Sequence, residues 1–236
     1  MKKLESSLTN MLLVLTGVTV ISVALLAYMN ELTAGPIAEA GMAQLNQALS
    51  SVVAEFDNNP VAESDTIFSE KNGKQVIDYI IYPARKNGQL VGTAVEATQL
   101  GFSGDLKVLV GFDAEGNIYD YSLLTHSETP GLGSKAETWF KEGTNRDIRG
   151  RNPGKGALSV SKDGGDIDAI TASTITSRAF LNAVNAAYAA YSGGEVNTVS
   201  GATWQATDAS SAASGKTEGE TDAASGATPA AEEQNN

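Results

Sequence analysis

Thr171, Ser173, Thr174 and Thr176 crowd into the segment Asp168-Ala169-Ile170-Thr171-Ala172-Ser173-Thr174-Ile175-Thr176-Ser177-Arg178. The pattern places them where a strand gives way to a long helix. A helix start presents unpaired backbone N–H groups and a partial positive charge, both suited to holding a phosphate. A threonine hydroxyl there is also a candidate for phosphoryl attachment. Ser and Thr are equally the preferred N-cap residues, so a purely structural reading stands beside the chemical one. Arg178, one turn further on, reads either as a cation that reinforces such a site or as a solvated surface residue.

A second string, His126-Ser127-Glu128-Thr129-Pro130-Gly131-Leu132-Gly133, follows a predicted strand and precedes a predicted helix. Read structurally it is a Pro/Gly turn. Read chemically, its two glycines let backbone approach a flat ligand while Glu128 and Thr129 supply polar contacts. His126 reads as a structural loop residue, since no acid in the string stands out beside it.

The elements that must position these strings follow from periodicity. Residues Val76–Tyr82 and Leu90–Ala97 read as strands joined through a Lys86-Asn87-Gly88 turn, and Leu106–Phe112 pairs with Ile118–Leu124 as a hairpin. A short helix is predicted over Ser134–Lys141. A longer one, Thr176–Tyr191, has Phe180, Leu181, Val184, Ala187, Tyr188 and Tyr191 at helical spacing and Gly193-Gly194 as its stop. Hairpin strands followed by helices give an α+β domain with an antiparallel sheet.

Ahead of this domain, Met11–Tyr28 is eighteen residues without a charge, preceded by Lys2 and Lys3. That length suits a single membrane-spanning helix, with the lysines holding the N-terminal side in the cytoplasm. A cleaved signal peptide is the rival reading, but the run is long and Asn30-Glu31-Leu32-Thr33 leading to Gly35-Pro36 is a poor cleavage context. Pro36–Val53 is helix-friendly and is expected to carry on outward and pack on the domain. The division expected is an anchor over residues 1–30, an extracytoplasmic domain over 31–192 and a flexible tail over 193–236. The tail holds seven acids against Lys216 alone, half of the net charge of −12, and from about residue 208 its composition predicts disorder.

Composition removes several function classes. Without Cys there is no disulfide, thiolate zinc site or Cys-ligated iron–sulfur cluster, and one His rules out a His-rich metal site. The acidic balance argues against nucleic-acid binding. An uncharged single span has no ion pathway of its own.

In this order the pieces resemble the G subunit of the Rnf (Rsx) ion-translocating electron-transport complex. The resemblance runs from Met1 to about Tyr191. It rests on Glu31-Leu32-Thr33-Ala34-Gly35-Pro36-Ile37, on Gly101-Phe102-Ser103-Gly104 running into Val108–Phe112, and on the two strings above. The C subunit of the sodium-pumping NADH:quinone reductase represents a sister family. The resemblance implies FMN attached by its phosphate to a threonine, in the pattern Asp-x-x-Ser/Thr-Gly-Ala-Thr-x-Ser/Thr. Asp168, Thr171, Thr174 and Thr176 match it, which assigns the flavin to Thr174. Ala172 and Ser173 replace the Gly-Ala pair, and the loss of Gly matters if that backbone takes a positive φ. Two other tetrapeptides, Ser200-Gly201-Ala202-Thr203 and Ser225-Gly226-Ala227-Thr228, match the short motif within the biased tail. The implied flavin contacts are Glu128, Thr129, Gly131, Leu132, Thr171, Ser173 and Thr176, with no catalytic side chain and no metal.

By the same resemblance the chain is the redox subunit of a translocase in the bacterial inner membrane. It relays electrons through covalent FMN on the periplasmic side. Its partners are the other subunits, which carry further flavin, iron–sulfur clusters and the ion path, and a flavin transferase during maturation. The alternatives are a tethered non-redox binding or accessory module, and the corresponding sodium-pumping reductase subunit.

Overall fold

The computed structural model describes residues 8–71 and 74–193. One helix, α1, runs unbroken over Leu8–Val52. Five strands follow: β1 (Asp65–Lys71), β2 (Lys74–Lys86), β3 (Gln89–Leu100), β4 (Asp105–Phe112) and β5 (Ile118–Thr125). They form one antiparallel meander in the order β1-β2-β3-β4-β5. A short α2 (Ala136–Trp139) and the long α3 (Thr174–Ser192) complete the domain. This is the α+β arrangement expected. Of the proposed tail, residues 194–236, with Gly194, Thr203 and Thr228, lie outside the described residues.

The middle of the sheet is covered on both faces, and strand alternation sorts its side chains between them. Val108, Val110 and Phe112 of β4 point towards α3, joining Val95, Tyr121, Phe180 and Val184 in the larger core. Leu109 points the other way, against Ala48, Leu49 and Val52 of α1. Phe180 stacks on Phe140 at 4.4 Å and meets Tyr121 edge-on at 4.7 Å. The last turns of α1 come so close to the sheet that a Cβ on Gly111 would overlap the Val52 carbonyl.

The anchor carries on outward as one helix whose last turns pack on the sheet, with Pro36 inside it. Three differences from the sequence reading stand out. Strand β1 was not foreseen. Strand β2 runs past Tyr82 through Pro83, which lacks the N–H a central strand needs. Pairing with β1 stops at Asp65↔Ile81, so Pro83 lies where β2 is an edge. There Asn58 takes the place of a neighbour, donating to the Pro83 carbonyl at 2.9 Å and accepting from the Arg85 N–H at 2.9 Å. Finally, α3 begins two residues early, and no strand leads into it. The approach holds an isolated parallel bridge, Val160↔Ile167, and a one-turn 3₁₀ segment, Ser161–Asp163, before an irregular run.

The turns behave as their residues dictate. Asn87 and Gly88 take φ 52° and 77°, the paired positive values of a tight hairpin turn. Gly193 takes φ 71° and closes α3 as its left-handed cap.

Candidate functional site at the start of helix α3

Glu128 organises the site from beneath. It is 5% exposed, and both carboxylate oxygens are engaged by the protein. Oε1 accepts from the Phe102 N–H at 2.7 Å and the Ser103 N–H at 3.3 Å, and Oε2 accepts from the Thr176 hydroxyl at 2.7 Å. Charge-assisted bonds of this kind are the strong ones, so the carboxylate ties the 101–104 turn to the first turn of α3. Gly133 makes room for it: a Cβ there would lie 2.5 Å from Glu128 Oε2 and 3.0 Å from Thr176 Oγ1. Gly133 therefore admits the carboxylate and the hydroxyl, a use that the sequence reading did not assign it.

Above this bracket lies a cavity of about 310 Å³. Phe102, Leu132 and Ile175 supply its apolar wall, and Thr129, Ser173 and Thr174 its polar one. Phe102 is 67% exposed, an aromatic held at the rim by the turn that Gly101 N–H closes on Gly104 O at 2.9 Å. The hydroxyl-rich segment is not simply a cap. Ser173 occupies the N-cap position, yet its side chain makes no capping hydrogen bond. Ser177 points inward, donating to Ser173 O at 2.9 Å and accepting from Ile170 N–H at 2.9 Å, which ties the approach to the helix. Thr174 is the first helical residue, half-buried, and its Oγ1 accepts from Lys162 Nζ at 3.2 Å.

Ala172 and Thr174 also border a second cavity, of about 520 Å³, on the other side of the segment. Lys162, Arg146, Trp139, Asp168 and Thr171 line it. The Arg146 guanidinium lies 4.3 Å from the Trp139 ring centroid, and the Trp139 indole N–H donates to Asp168 O at 2.8 Å. Thr174 thus stands between an apolar cleft and a cavity with two cations and one carboxylate.

Ala172 has φ 62°. It is one of two non-glycine residues with positive φ among those described. The condition under which losing glycine matters is therefore met, at a cost of about 1–2 kcal/mol for an L-residue.

Of the residues singled out from the sequence, Glu128, Thr129, Leu132, Ser173, Thr174 and Thr176 surround the first cavity. Thr171 faces the second. Gly131 lines neither described cavity. It takes φ 75° in a turn where its N–H donates to Ser134 Oγ at 2.9 Å. Arg178 is not simply solvated, because it pairs bidentately with Asp163 at 2.6 and 2.7 Å. That guanidinium holds the Asp163 carboxyl below the usual carboxylate range. His126 does have an acid beside it, Glu137, with Oε1 3.0 Å from Nε2. Lys162, Arg146, Trp139 and Ile175 were missed. No spacing rule links Lys162 to a threonine twelve residues later, whereas Phe102 and Ile175 lay inside strings already singled out.

The two cavities fit an amphiphilic ligand with a flat apolar body and an anionic end, and the first has the volume of an ordinary small-ligand pocket. Residues 101–189 match the family described as an FMN-binding domain. The chain is 36% identical over 171 residues to the G subunit of the ion-translocating oxidoreductase complex of Photorhabdus laumondii, covering 70% of this chain and 80% of that one. It is 35% identical over 167 residues to the Yersinia pestis G subunit (68% and 78% covered). To that of Cereibacter sphaeroides it is 31% identical over 173 residues (71% and 76% covered). At that identity and coverage, the chain belongs to the family of G subunits of ion-translocating oxidoreductase complexes.

Proposed function

We propose that this chain is a membrane-anchored flavoprotein, a redox subunit relaying electrons in an ion-translocating oxidoreductase complex, and that FMN is held by a phosphoester to Thr174 Oγ1. The observation that carries the assignment is the position of that hydroxyl. It is half-buried at the first residue of α3, between an apolar cleft and a cationic cavity, with a lysine amine as its partner. When bound, FMN supplies transfer of electrons one or two at a time. The chain's own residues do the rest. Phe102, Leu132 and Ile175 keep water from one side of the cleft, Thr129 and Ser173 offer polar contacts, and the α3 N-terminus favours a phosphodiester anion by about 0.3–1 kcal/mol. Glu128 holds the two halves of the cleft together.

The reading extends to topology. The apolar part of α1 crosses the membrane with the N-terminal lysines inside, the domain of residues 31–192 stands on the extracytoplasmic side, and residues 193–236 form its tail. The other subunits of the complex, and a flavin transferase during maturation, are the partners. The positive φ at Ala172 favours one competing reading, an accessory subunit that has lost its attachment site. Peptide mass mapping of the chain made alongside a flavin transferase, with Thr174→Ala and Thr203→Ala as controls, decides among these. An FMN adduct on the peptide holding Thr174 is expected. An adduct confined to residues 200–207 moves the site to Thr203, and a colourless chain supports the accessory reading.

A further inference from the structure

We infer that Lys162 is the cation that engages the phosphate at Thr174, and that Asp163 and Arg178 are positioning residues that hold it there. The inference rests on the reading of Thr174 as the flavin acceptor and adds the residues that make it one. Thr174 and Arg178 are four apart in α3 and so share one face of the helix. Lys162 and Asp163 are neighbours on a one-turn 3₁₀ segment, Ser161–Asp163. Each of the two meets one of those helix residues: Lys162 Nζ lies 3.2 Å from Thr174 Oγ1, and Asp163 grips the Arg178 guanidinium at 2.6 and 2.7 Å.

The ion pair is built as a strut. Its side chains are 18% and 8% exposed, and a planar fork on a carboxylate fixes both distance and orientation. The turn is held from behind as well. Val160 bridges Ile167, Asp163 N–H donates to Val160 O at 2.9 Å, and Gly165 packs where a Cβ would overlap the Ser159 carbonyl. Lys162 itself is exposed, and among the described residues it enters no salt bridge. An ammonium facing a neutral hydroxyl gains little in water. The same ammonium facing a phosphate on that oxygen gains a charge-assisted bond.

An FMN monoester does not condense with a hydroxyl in water, so the donor must be an activated phosphoanhydride of the flavin dinucleotide class. The Thr174 Oγ–P bond forms as the P–O bond of that anhydride breaks. The nucleoside monophosphate leaves, and the hydroxyl proton passes to the transferase or to solvent. Lys162 neutralises charge on the non-bridging oxygens as the bond forms and remains as counter-ion to the finished diester.

The test uses the full chain, a flavin transferase and flavin adenine dinucleotide, with labelling followed by the fluorescence of the denatured band and assigned by mass mapping. Lys162→Met is expected to slow labelling of Thr174 about tenfold at saturating donor, one exposed cation's share of such stabilisation. Lys162→Arg should restore most of the rate. Arg178→Met should slow it as well, with Arg178→Lys recovering part, and thermal unfolding separates these effects from loss of fold. In the labelled protein, the phosphorus-31 resonance of the diester should move on Lys162→Met. Wild-type labelling at Thr174 with an unchanged rate and an unmoved resonance in Lys162→Met overturns the inference alone. No label at Thr174 in the wild type removes the underlying reading and the inference together.

Discussion

Glu128 accepts three hydrogen bonds from two different parts of the chain while almost wholly buried, so its charge is the keystone of the cleft. Glu128→Gln keeps the shape but removes the charge from all three hydrogen bonds and puts an amide N–H₂ in place of one oxygen, which the Thr176 hydroxyl can meet only by giving up its role as donor. The expected loss is about 1–3 kcal/mol, read from denaturant unfolding of wild type and variant side by side. Ala172 makes the opposite case. Glycine at that position relieves the left-handed strain and gives back part of the gain as chain entropy, so Ala172→Gly should stabilise by about 0.5–1 kcal/mol. The same pair of unfolding curves checks it, and a destabilised Ala172→Gly protein would mean that the φ of 62° costs less than the chain entropy glycine adds.

At the scale of elements, the start of α3 is positioned by three separate connections: Ser177 to the approach, Thr176 to Glu128, and Arg178 to Asp163. The last depends on pH. Asp163 has its folded pKa lowered, first by the hydrogen bond from Arg178, so the unfolded chain binds its proton more readily. The stabilisation is fully present above the ordinary carboxylate pKa of about 4 and fades as pH falls through the lower folded value. Arg178→Met should therefore cost about 1.5–3 kcal/mol near neutrality. The gap between its melting temperature and that of the wild type should close as pH drops below about 4. A gap independent of pH would assign the loss to packing instead.

For the whole molecule, α1 is the organising feature. Its 45 residues extend about 68 Å, more than twice a bilayer core of about 30 Å. The apolar window is wholly unburied, whereas Leu49 and Val52 at the far end are 1% and 0% exposed against the sheet. One helix thus both anchors and packs, which leaves the residues between as a stand-off from the lipid. The chain should stay in the membrane pellet through alkaline carbonate washing. A C-terminal alkaline phosphatase fusion should be active, as it is only outside the cytoplasm. An inactive fusion would reverse the proposed orientation.

Features written in contiguous residues were legible from the sequence. These include the apolar run of the anchor, the hairpins with their Asn-Gly and Asp113–Asn117 turns, the amphipathic α3 and the hydroxyl string at its start. Each depends on local periodicity or on a backbone preference of the residues themselves. The passage of β2 through Pro83, and the pairing of Lys162 with Thr174 and of Asp163 with Arg178, were not legible, because each needs a partner remote in the chain. Strand β1 was overlooked although its partner β2 begins three residues after it ends. Glu128 shows the division most plainly. Its place in a Pro/Gly turn could be read from order alone, but its role is set by a hydroxyl 48 residues away, which only the folded chain brings to 2.7 Å.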